Sequence, residues 1–137
     1  MARRTKAYVD TSALIAFVDR SDTHHALFAR LFSDPPDLVT CSLVIAEGHG
    51  WFLKRFDRTR ALQFLSLASS LSPMQVLSVG EPELGAAHRV LAEFQDQDLT
   101  LADAVGLHVM KVHRVRSCWS TDRHLGLSGV PLVIHEH

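Results

Sequence analysis

The sequence predicts an α/β fold: a mainly parallel sheet of four to five short strands, flanked by helices in a three-layer arrangement. Three observations carry that expectation. Short apolar runs of strand character alternate with longer stretches whose apolar residues recur at helical spacing. The 137 residues are 47% hydrophobic, enough for a well-buried core and a length suited to one domain over residues 1–137. Four acidic residues, Asp10, Glu47, Asp103 and Asp122, fall where the chain changes element, each in or beside a strongly apolar stretch.

In order along the chain, residues 6–10 read as a buried strand. Asp10, Thr11 and Ser12 then offer capping oxygens to a helix reaching about residue 19. Ala26, Leu27 and Leu31 predict a helix over 22–32, which ends before Pro35 and Pro36. Residues 38–41 form a second strand, followed by helices over 42–55 and 58–71. A third strand over 75–79 leads to helices over 83–94 and 100–114. A fourth strand covers 117–121, and 132–135 reads as a short fifth. In open sheets of this kind, ligands sit beyond the carboxyl ends of the strands. Asp10 and Asp122 each directly follow a strand and are expected to face that crevice.

The composition excludes several function classes. Charged residues make up 21% and the net charge is −1, so there is no global basic signal for nucleic acid, and any such contact must come from local patches. No stretch is long and apolar enough to span a membrane. The start MARRTK imitates a basic leader, but Asp10 breaks the apolar run behind it. Cys41 and Cys118 lack metal-ligand spacing and read as reduced, buried thiols, which points to the cytoplasm. There is no internal repeat, low-complexity segment or linker.

Each acid has a bland reading beside a chemical one. Glu47 has Leu43 and Trp51 four residues away on either side, so a carboxylate interrupts an apolar helix stripe. The bland alternative is a Glu at the stripe's edge that reaches water or an Arg. Asp103 lies between Leu99 and Leu107, and with Thr100 it also fits a capping box. Asp10 and Asp122 each fit a simple N-cap. Together, two acids at strand ends and two on apolar helix faces converge on one crevice. There they repel one another unless a cation is present. Carboxylate oxygens suit hard cations such as Mg²⁺ or Mn²⁺.

The segments VDTSALIA, SLVIAE, LTLADA and STD, in that order, resemble the PIN-domain ribonucleases, and especially the VapC-like toxins of bacterial toxin–antitoxin pairs. The resemblance covers essentially the whole chain. It implies a PIN-like fold and a metal-binding, catalytic quartet of Asp10, Glu47, Asp103 and Asp122. It makes Ser12 the hydroxyl supporting the first acid, places the family's usual hydroxyl at Ser120, where Thr is commoner, and leaves Thr11 and Asp98 as outer residues. Leu125 stands where family members often carry Phe. The implied reaction is endonucleolytic hydrolysis of RNA by metal-activated water, leaving 5′-phosphate and 3′-hydroxyl ends, with Mg²⁺ or Mn²⁺ as cofactor. The implied partners are an RNA substrate, a cognate antitoxin and a second copy of the chain.

An acidic site needs a basic rim to hold RNA. Candidates are Lys54, Arg55, Arg58 and Arg60 after the Glu47 helix, Lys111, Arg114 and Arg116 before the fourth strand, and Arg123. Trp51 and Phe52 are candidates to stack on bases, against the alternative of core packing. Gly48 and Gly50 each cost their helix about 1 kcal/mol relative to Ala, which suits close approach by a neighbouring helix or a substrate backbone. Of the nine histidines, His24 and His25 cannot share a helix face, His108 and His113 are poorly spaced for one site, and His135 and His137 lie at the tail. His124 alone falls near the proposed site. Competing readings are a haloacid-dehalogenase-like phosphatase, which needs an Asp where Ser12 stands, a PIN-fold binding module without turnover, and a nuclease subunit of a larger processing machine.

Overall fold

The computed structural model of the chain describes residues 6–136. The basic start and His137 lie outside them. Four parallel strands, β1 (Lys6–Val9), β2 (Asp37–Cys41), β3 (Met74–Leu77) and β4 (Ser117–Trp119), form one sheet in the order β3-β2-β1-β4. Each crossover contains two helices: α1 (Thr11–Val18) and α2 (His25–Ser33), then α3 (Ser42–Arg55) and α4 (Arg58–Ser70), then α5 (Glu81–Glu93) and α6 (Leu101–His113). Parallel strands need such crossovers, and covering both faces explains why Ala7, Tyr8 and Val9 read as an unbroken apolar run with at most 1% exposure.

The strand order reverses direction at β1. From β1 the chain steps to β2 and β3, then returns to pair β4 on the other side of β1. Right-handed crossovers therefore send α5 and α6 to the face opposite α1–α4. In agreement, α1 packs against α2 and α3, whereas α6 packs against β1 and β2. The reversal leaves a crevice between the carboxyl ends of β1 and β4, where Asp10 and the Ser120–Asp122 segment emerge.

Each face of the sheet has its own packing. On one, Trp119 meets Phe32 edge-on at 4.9 Å between ring centroids, with Phe28 at 6.5 Å, so α2 is clamped to the last strand. On the other, α6 lies so close that a Cβ on Gly106 would come within 3.0 Å of the Tyr8 hydroxyl. Between α3 and α4, a Cβ on Gly48 would sit 2.2 Å from Phe64, so only glycine allows this approach. Gly50, two residues on, has no such neighbour within 4 Å. Cys41 and Cys118 are free and buried, as expected, and burial pushes the Cys118 thiol far above its usual range, which keeps it inert.

Several expected boundaries move. The fifth strand is reduced to a single bridge between Cys118 and Leu132, after which Val133–His135 forms a 3₁₀ turn. Pro131 supplies a carbonyl to the Cys118 amide but has no N–H with which to extend a ladder. β4 stops at Trp119 because the next residues bond within the site rather than to β1. β3 ends at Leu77, and the Val79 amide instead donates to the Ser42 hydroxyl at 3.1 Å. α2 starts at His25, since Asp22 holds the preceding turn by accepting from the His24 amide at 2.8 Å.

Candidate active site

A pocket of about 410 Å³ opens at the carboxyl ends of β1 and β4, between α1, α3 and α6. Asp10, Glu47, Asp103 and Asp122 all line it, with Thr11, Ser12 and Thr100 between them. A larger cavity of about 900 Å³ lies between α5 and α6, but Glu93 is its only carboxylate. Volume would choose that one; charge and the strand reversal choose the acidic pocket.

Asp10 forms the floor. It occupies the N-cap position of α1, yet its side chain makes no capping bond, contrary to the simple-cap reading. Its Oδ2 accepts instead from Ser12 at 3.0 Å and Ser120 at 2.9 Å. Each hydroxyl also accepts a backbone amide from the segment after β4: Ser12 from Thr121 at 3.0 Å, Ser120 from Asp122 at 2.9 Å. A hydroxyl has one proton to give. With both donated to Oδ2, the 3.2 Å approach of the two serine oxygens is contact enforced by the carboxylate rather than a bond between them. One oxygen of Asp10 is thus fixed by both hydroxyls. Burial raises the Asp10 pKa, and the hydroxyl and amide donors pull it back.

Asp103 sits at the start of α6 in the anticipated capping box. Its amide donates to Thr100 Oγ1 at 3.1 Å, and its Oδ2 accepts from the Thr100 amide at 3.2 Å. It is 8% exposed. Burial raises its pKa first, the Thr100 amide lowers it, and the nearby Asp122 carboxylate raises it again. Asp122 caps the 3₁₀ turn Arg123–Ser128 by accepting from the His124 amide at 2.9 Å. The His124 ring turns back so that Nδ1 lies 3.2 Å from Asp122 and 4.0 Å from Asp103.

Glu47 departs from expectation in one respect. It lies on the exposed surface of α3 rather than within a buried stripe. Its position is nonetheless tied, because the Thr11 hydroxyl donates to Oε1 across 36 residues of sequence. That link joins α1 to α3, and nothing local in the sequence announces it.

The remaining candidates separate. Lys54 lines the pocket, as do Gly50 and Trp51. Phe52 is fully buried among Phe56 and Phe64 and is a core residue. Arg55 stacks over Trp51 and Arg60 over Phe56, at 5.5 and 5.2 Å from the ring centroids. Arg58, Arg116 and Arg123 are exposed, and Lys111 and Arg114 border the α5–α6 cavity. Asp98 is exposed in the loop before α6, outside the pocket lining.

Among the described residues, His124 alone brings a potentially cationic group to ion-pair distance of any of the four acids. Converging carboxylates without Lys or Arg partners are an unfavourable arrangement unless a cation joins them. Single ligand atoms of Asp103, Asp122 and His124 lie within 4.8 Å of one another, two carboxylate oxygens of the kind a hard divalent ion takes and one imidazole nitrogen.

A family model described as the PIN domain matches residues 7–126. Ribonuclease VapC26 of Mycobacterium tuberculosis is 28% identical over 116 residues, covering 84% of this chain and 85% of that protein. The crystal structure of M. tuberculosis VapC20, described as a Sarcin-Ricin loop cleaving toxin, superposes with a TM-score of 0.81 at 22% identity, covering 90% of this chain and 95% of that one. A toxin–antitoxin complex from Klebsiella pneumoniae shares the fold at a TM-score of 0.58 and 18% identity, over 85% of this chain and 87% of that one.

Proposed function

The chain belongs to the PIN-domain family, and from that footing we propose that it is a metal-dependent endoribonuclease, the toxin of a toxin–antitoxin pair. Its similarity to a named VapC ribonuclease over most of both chains supports the activity. The observation that carries the site is the meeting of four carboxylates from four separate segments in one pocket at the strand reversal.

In this reading Asp10, Asp103 and Asp122 hold Mg²⁺ or Mn²⁺, with Glu47 beside them. When bound, such an ion supplies charge to neutralise the scissile phosphate and a water of lowered pKa. The chain's own residues position that chemistry. Ser12 and Ser120 fix Asp10 at the pocket lining. Thr100 orients Asp103, Thr11 steadies Glu47, and Lys54 offers a positive charge to an entering phosphate. No nucleophilic side chain is required, and the expected products carry 5′-phosphate and 3′-hydroxyl ends.

An antitoxin is the natural partner of such a toxin, and a homodimer in the cytoplasm is the proposed working state. Among the described residues, no helix is long and apolar enough to cross a membrane. The test is cleavage of labelled total RNA by the purified, partner-free protein with Mg²⁺ or Mn²⁺, with EDTA and Asp10→Asn as controls. Discrete cuts lost in both controls support the reading. Absence of cuts from folded, metal-binding protein replaces it with a binding module that lacks turnover.

A further inference from the structure

The nuclease reading leaves one wall of the pocket unexplained. Glu47, Gly50, Trp51 and Lys54 are spaced i, i+3, i+4 and i+7, so they form one stripe on α3, and all four line the pocket. The stripe carries, in order, an acid, a gap, an aromatic ring and an amine.

The gap needs a reason. Glycine weakens a helix interior, and α3 contains two. Gly48 is explained by the protein itself, because any side chain there would strike Phe64. Gly50 is not: it is exposed, and nothing lies within 4 Å of where its Cβ would be. Among the described residues, nothing fills the space beside Gly50, which leaves room for a ligand.

Trp51 is likewise only partly absorbed by the core. Its edge rests on Phe52 and Phe56, and Arg55 lies over its ring. It remains half-buried and is the one aromatic side chain lining the pocket. A ring at the edge of an acidic pocket, with Lys54 and Arg55 on the following turn of the same helix, is a suitable platform for an unpaired base.

We propose that this stripe is the substrate subsite for single-stranded RNA. A base beside the scissile phosphate stacks on Trp51, the ribose-phosphate backbone crosses the helix at Gly50, and Lys54 pairs with the flanking phosphate. The proposal rests on the nuclease reading and adds which face of the pocket the RNA follows and that it must be unpaired there.

Two independent measurements test it. The chain has two tryptophans, and Trp119 is buried, so Trp119→Phe leaves Trp51 as the sole indole reporter. In Ca²⁺, a short mixed-sequence single-stranded RNA should quench its emission, and an abasic ribose-phosphate chain of equal length should not. Trp51→Ala should weaken binding of the RNA about tenfold, with most of it restored in Trp51→Phe. On the wild-type background, Gly50→Ala should raise Tm by about 2–4 °C while weakening RNA binding by roughly tenfold. A glycine with no part in RNA binding gives the first effect without the second.

Equal quenching by both probes, or Gly50→Ala that binds RNA within about twofold of wild type, overturns the subsite. If total RNA is still cut in a metal-dependent way, the nuclease reading survives that loss. If quenching and the Gly50→Ala effect appear but no RNA is cut, the subsite stands and turnover falls.

Discussion

The two sides of the acidic pocket are built on opposite principles. On the β1–β4 side, one carboxylate, Asp10, is surrounded by donors: two hydroxyls hold one of its oxygens, and backbone amides hold those hydroxyls. On the α6 side, Asp103 and Asp122 face each other, and beyond their capping amides the only relief is the His124 ring. The first side is held by donors before any ligand arrives, although burial still raises the Asp10 pKa. The second is poised, with repulsion that only a bound cation removes.

The largest effect expected is on the poised side. Asp103→Asn should lower cleavage by on the order of a thousandfold, the loss expected when several kcal/mol of metal-supplied stabilisation goes. The same change should raise the thermal stability of EDTA-treated protein, because it removes a like charge. A single-turnover cleavage assay and a melting curve on the same preparation decide both, and a variant that loses stability would contradict the account of this side.

The donor-held side should respond less. Ser120→Ala removes one of the two hydroxyl donors to Asp10 and the acceptor of the Asp122 amide. A loss of roughly 10–100-fold in metal affinity or activity is expected, the usual scale for groups that orient a ligand. Calorimetric titration with Mn²⁺ measures it; unchanged affinity would mean that Asp10 does not depend on its hydroxyls. His124→Gln removes the ring nitrogen that lies 3.2 Å from Asp122, and should weaken the same titration by up to about tenfold.

The smallest effect is on pH dependence, and its sign is the same on both sides. Asp10 and Asp103 have folded-state pKa values raised above the usual 3.8. The folded protein therefore keeps protons that the unfolded chain has released, so their contribution to stability falls as pH rises through the raised range. Below the unfolded value both states are protonated and the penalty disappears. In EDTA, Tm should decline by a few degrees as pH rises from about 4 towards 7. Saturating Mg²⁺ should flatten that decline, and Asp103→Asn should reduce its slope. Parallel curves for wild type and variant would place the effect elsewhere in the chain.

Much of this was legible from local pattern. The four parallel strands and six helices follow from apolar runs and helical spacing, and the Thr100–Asp103 cap from four residues of sequence. What was hidden is long-range. The exposure of Glu47 depends on the rotation of α3, which α4 sets by packing Phe64 against Gly48. The Thr11–Glu47 bond joins positions 36 residues apart. The expected fifth strand became a bridge and a turn because the His135 and Glu136 amides donate back to Leu132 and Val133. Among the basic candidates, the sequence could not separate Lys54, which lines the pocket, from Arg58 and Arg123, which do not.

The strand reversal also sets when the pocket can exist during synthesis. Asp10 emerges early, but its partner Ser120 lies 110 residues later, and β4 must pair with β1 to bring them together. Contacts this distant in sequence form late, and a growing chain folds from its amino end. A chain elongated only as far as α6 holds Asp10, Glu47 and Asp103 but neither Ser120 nor Asp122. The ribosome making this protein is therefore never exposed to a finished pocket until the last strand has left its tunnel.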